Sequence, residues 1–103
     1  MRLPRFRFSP QNVRDQIAFF ANAADLRRPA FAVIDGLQLT HAKPGAQILG
    51  AAAALIAMCE SANIPLNDVL VKATRALNDV EGPYSTHIRA IRDYAAHEIA
   101  IGE

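Results

Sequence analysis

GAQILGAAAALIAMCE, running from Gly45 to Glu60, is apolar on nearly every side of a helix. A helix with so little polar surface belongs inside a structure, with the rest of the chain wrapped around it. Length separates this reading from a membrane span. Crossing a bilayer takes ~20 apolar residues, and Lys43, Gln47 and Glu60 confine this run to fewer. The bulky residues Ile48, Leu49, Leu55, Ile56 and Cys59 form a broad ridge, and Ala46, Gly50, Ala53, Ala54 and Ala57 form a shallower face. Small residues admit a neighbouring backbone, so contact on two sides is expected. Gly50 costs a helix interior about 1 kcal/mol against alanine, and close packing by a neighbour is the expected compensation.

The flanking segments supply the wrapping. Arg5-Phe6-Arg7-Phe8 alternates polar and apolar, the period of a half-buried strand. Ser9-Pro10 then starts a helix, with a hydroxyl cap followed by proline where its missing N–H costs nothing. Val13, Ile17, Phe20 and Ala24 give that helix one apolar stripe, and Pro29 predicts its end near Asp25–Arg28. Asp35-Gly36 is a two-residue turn signal. It predicts a hairpin over Phe31–Thr40 with Ala32, Ile34, Leu37 and Leu39 on the core face. After the central helix, Pro65 starts a third helix with Leu66, Val69, Leu70, Ala73, Leu77 and Val80 buried. Ser85 or Thr86 caps a fourth, carrying Ile88, Ile91, Ala95 and Ile99 on one face. The predicted fold is mainly α (α+β). About four helices, the central Ala-rich one enclosed by the other three, form a single domain over 1–103, with a small N-terminal β element of strand plus hairpin.

Composition agrees with a folded domain. Of 103 residues, 51% are hydrophobic and 20% charged, which argues against disorder beyond the ends. Cys59 is the single cysteine, so no intrachain disulfide can form, and its apolar setting suggests a reducing, cytoplasmic compartment. No apolar h-region follows the basic N-terminus, since 10–15 is polar, so a signal peptide is not expected. Charge is uneven. Up to Ala30 six arginines face Asp15 and Asp25, a net of +4, while the remainder sets five bases against eight acids, a net of −3.

Chemistry concentrates in two places. On the final helix His87, Tyr94 and Glu98 share one flank, and Arg89, Asp93 and His97 follow at intervals of four on the other. A carboxylate beside a histidine can orient a general base. The same pattern is also a solvated helix face with pairs worth ~0.2–0.5 kcal/mol each. With no nucleophile or phosphate-cradling loop beside it, the binding surface is the better reading and no catalytic residue is assigned. His41, His87 and His97 lie in two distant segments, so neither a metal site nor a cofactor is expected. The second concentration is the N-terminal third, where Arg5, Arg7, Arg14, Arg27 and Arg28 lie among phenylalanines. Aromatics among arginines can stack nucleic-acid bases, but strand alternation already explains Phe6 and Phe8. A nucleic-acid-binding module is therefore the alternative. Asp68, Lys72, Arg75 and Asp79 on the third helix alternate in sign and read as self-satisfied surface.

From about Gln38 to Ile99 the succession QILGAAAALIAMCE, IPLNDVLVKA and RAIRDYAAHEI is similar to small accessory proteins carried by bacteriophages and prophages. The resemblance covers roughly the C-terminal two-thirds and attaches to no named family or signature residue. It implies a cytoplasmic host compartment and action by binding host components, as an anti-defence factor does. No motif specifies a reaction. The function expected from the sequence is non-enzymatic binding through protein–protein contact, with homo-oligomerisation, at a surface drawn from the arginines above and from His87, Arg89, Asp93, Tyr94 and His97.

Overall fold

The computed structural model describes residues 10–79 and 82–100, and among them the fold is wholly helical. Five α-helices follow in order: α1 (Pro10–Ala18), α2 (Arg27–Gln38), α3 (Pro44–Ala62), α4 (Leu66–Leu77) and α5 (Ser85–Ala95). A 3₁₀ turn at Ala23–Leu26 leads into α2, and a π turn at Ala96–Ala100 continues α5. The mainly α expectation holds, with five α-helices among the described residues in place of four. The expected strand Arg5–Phe8 lies outside the described residues.

The hairpin expected over Phe31–Thr40 is replaced by α2. Arg27, Ala30, Phe31, Ile34, Leu37 and Gln38 are its half-buried positions, a helical stripe, whereas Ala32 and Leu39 of the expected core face are exposed. Asp-Gly favours a turn only where two strands have a sheet to join, and an isolated two-stranded hairpin is marginal in water. Pro29 begins α2 rather than ending α1. It sits in the first turn, where backbone N–H groups lack intrahelical partners, so the missing donor costs little. Helix α1 accordingly stops at Ala18, short of the expected Asp25–Arg28. The Asn22 side chain then accepts the Ala24 N–H at 3.1 Å and caps the 3₁₀ turn. Lys72 of α4 donates to the Ala18 carbonyl at 3.0 Å, satisfying one acceptor at the end of α1.

Helix α3 has well-defined ends. Pro44 occupies its first turn, and Asn63 closes it with φ of 56°. The Ile64 N–H reaches the Cys59 carbonyl at 2.9 Å, and the Asn63 N–H reaches Glu60 at 3.2 Å. Those two bonds form a Schellman closure, and its apolar clasp is the buried pair Cys59 and Ile64. Arg14 of α1 donates to the Asn63 carbonyl at 3.2 Å and ties α1 to the same corner.

Among the described residues Ala23, Cys59, Ile64 and Ile88 are the buried apolar residues and Gln47 is the buried polar one. The enclosure expected for the Ala-rich helix is not found. Helices α1 and α2 pack on α3, and α5 packs on α2 and on α4. Of the nineteen residues of α3, only Gln47 and Cys59 are buried. Four-residue steps from Gln47 through Ala51 and Leu55 to Cys59 trace the covered arc, the narrow strip that two crossing helices can reach. On α5 the expected face is found, with Ile88 2% exposed and Ile91, Ala95 and Ile99 half-buried.

Candidate interaction surfaces

Three surfaces carry distinctive chemistry. The first is a stack joining α2 to α5. Phe31 and Tyr94 lie ring on ring, centroids 4.2 Å apart and 16° from parallel. The Arg27 guanidinium sits 5.4 Å from the Phe31 ring centroid on the next turn back. The Tyr94 hydroxyl donates to Asp35, one turn after Phe31. That bond, then burial and the nearby Asp35 and Glu98 charges, push the Tyr94 pKa up to about 12. Each interaction disfavours a second negative charge beside Asp35.

At the far end of the same contact, one buried amide serves three elements. Gln47 donates from Nε2 to the Ala42 carbonyl at 2.7 Å and accepts from Gln38 Nε2 at 3.2 Å. The same Gln38 nitrogen donates to the Glu98 carbonyl at 2.8 Å. The two amides thus join the end of α2, the start of α3 and the C-terminal turn, and they meet the requirement that a buried polar side chain find partners.

The second surface is a groove of about 340 Å³ between α1 and the start of α4, floored by Ile17, Ile64 and Val71 and rimmed by Arg14, Asp68, Lys72 and Arg75. Its mouth is open, and the Arg14 and Lys72 side chains already donate to backbone carbonyls of the chain.

The third surface is the outer side of α3. Ile48 and Met58 are 59% and 61% exposed at the edges of the covered strip, while on the outer side Leu49 is 73% exposed and Ile56 43%. Between them Ala46, Gly50, Ala53, Ala54 and Ala57 are exposed as well. A Cβ built on Gly50 meets nothing within 4 Å, so the neighbour expected to compensate for this glycine is not supplied by the chain itself. Contiguous apolar surface of this kind, on one helix and ending at Glu60, is characteristic of interfaces. Among the described residues α3 is also the one helix long and apolar enough to cross a membrane by length and composition. Its packed neighbours are polar, however: α1 brings Arg14 against its C-terminus and α2 brings Gln38 against Gln47.

The residues singled out from the sequence divide among these surfaces. Arg27 and Tyr94 join one stack, Arg14 lies apart at the α1–α4 groove, and Arg28, Arg89, Asp93 and His97 are exposed without joining any of the three. His87 is half-buried, and its Nδ1 is sealed from solvent with no hydrogen-bond partner. Arg5 and Arg7 lie outside the described residues. No group of three or more His, Cys, Asp or Glu able to hold a metal occurs among the described residues. Sequence reading missed the Phe31–Tyr94 stack, because a hairpin would set Phe31 about 13 Å from Asp35 along the strand, whereas in α2 they are one turn apart. It also missed the Gln38–Gln47 link, whose signal was a lone amide inside an apolar run. No protein family, curated protein or solved structure matches this chain.

Proposed function

We propose that the protein is a non-enzymatic binding module that acts through protein–protein contact, with the outer face of α3 as its interface. The observation that carries this reading is the exposure of Leu49 and Ile56 on one face of a helix whose sequence is apolar enough to be a core. Burying apolar surface releases about 25 cal/mol per Å², which gives such a face a strong drive to find a partner. Protein fits the face better than lipid, since spanning a bilayer would drag Arg14 and the Gln38–Gln47 pair into hydrocarbon with it. Nucleic acid is less well supported, because Arg14 and Arg27 are each engaged within the chain. In the setting implied by the resemblance to phage accessory proteins, the module works in the host cytoplasm.

A photo-cross-linking residue at position 49 tests this reading against the same residue at position 93, on the solvated flank of α5. Illumination in a lysate of the native host should give discrete protein adducts, with this chain or with others, from position 49 and few from position 93. Equal labelling from the two positions, or none from position 49, would reject the α3 face as an interface.

A further inference from the structure

We infer that the partner of the α3 face is a second copy of this chain, paired antiparallel about a two-fold axis through Ala53. This rests on the reading of α3 as a protein interface and adds the identity and register of the occupant. Ala46, Leu49, Ala53, Ile56 and Glu60 recur at alternating intervals of three and four and are all exposed. Such a seam lets one helix lay knobs into the holes of another.

Ala53 is the midpoint of the seam, and with the axis there each bulky side chain meets small ones. Leu49 of one copy enters the hole that Ala53, Ile56, Ala57 and Glu60 make on the other. Ile56 enters the hole made by Ala46, Leu49, Gly50 and Ala53. Large residues against small ones is the condition for interdigitated packing, and symmetry supplies each contact twice. The glycine at position 50 then has a reason. It costs its own helix about 1 kcal/mol while nothing in its own chain occupies the space beside it, and in the pair that space receives Ile56.

Charge points to the same orientation. Lys43 precedes the N-terminus of α3 and Glu60 lies in its last turns, each exposed. Antiparallel pairing brings the lysine of each copy toward the glutamate of the other, while parallel pairing would stack like on like. Side-by-side helix dipoles attract when antiparallel, which favours the same orientation.

Disulfide trapping and sedimentation test the pair. In a Cys59→Ala background, Ala53→Cys places two thiols at the axis. Helix axes about 8–10 Å apart leave facing Cα atoms within disulfide reach. Mild oxidation should convert Ala53→Cys to a covalent dimer and leave Ala52→Cys, on the adjoining arc, monomeric. Gly50→Leu fills the hole for Ile56 without meeting anything in its own chain. It should keep full helicity by circular dichroism and raise the dimer dissociation constant about tenfold to a hundredfold. No covalent dimer at position 53, equal trapping at 52 and 53, or an unchanged dissociation constant in Gly50→Leu would each overturn the pair. Adducts to other proteins from position 49, with no trapping at position 53, would overturn the second copy and leave the interface reading standing.

Discussion

Tyr94 is the residue whose environment is most specific. Its ring lies on Phe31 and its hydroxyl donates to Asp35, so one side chain makes an apolar and a polar contact with α2 at once. The bond exists only while the phenol keeps its proton. With the folded pKa pushed up to about 12 against about 10 for free tyrosine, the contribution of Tyr94 to stability is fully present below about pH 10. It is lost as pH rises through 12. Tyr94→Phe keeps the stack and removes the titrating group. Urea unfolding of the two proteins from pH 8 to 12 should show a loss above pH 10 in the wild type that is shallower in the variant. The wild-type-minus-variant absorbance of tyrosinate should titrate near pH 12. A difference curve centred near pH 10 would mean that the Asp35 bond does not form. Gln47 shows the opposite economy at the same scale: one amide buried in an apolar helix, held by Ala42 and Gln38, fixes where α3 starts against α2.

At the scale of elements, α2 decides the architecture. Read as a hairpin, residues 31–40 would have seeded a small β element; as a helix they give α5 a surface to pack on. Gly36 distinguishes the two. In a two-residue hairpin turn it would need positive φ, and alanine there would be strained. In α2 a Cβ at Gly36 meets nothing within 4 Å, so Gly36→Ala should raise stability by about 0.5–1 kcal/mol, read as a higher urea midpoint. A lower midpoint would restore the hairpin. The other helix positions were largely legible: Pro10, Pro44 and Ser85 each fall at a helix start, and the Ile88–Ile91–Ala95–Ile99 stripe is where periodicity puts it. The end of α1 and the nature of 31–40 were not. Asp-Gly, Pro29 and Asn22 are local signals compatible with either outcome, and the contacts that hold 31–38 as a helix come from α5 and the turn that continues it, about sixty residues further along the chain.

The whole molecule is organised by what α3 does not bury. The sequence marks that helix as the most apolar part of the chain, and periodicity correctly separates it from its neighbours. Its surroundings were not legible, because composition states how much apolar surface must be covered and not whether the cover comes from the same chain. Within one copy α1 and α2 cover a single arc, and Leu49 is left 73% exposed. Sedimentation equilibrium of the wild type beside Leu49→Lys, across the micromolar range, tests the consequence most directly. Leu49 makes so little contact within its own chain that the lysine variant should fold with the same circular dichroism. The wild type should approach the mass of two 11.2 kDa chains, and Leu49→Lys should remain at one. A wild type that stays at the mass of one chain throughout, or a variant that associates as the wild type does, would contradict the account.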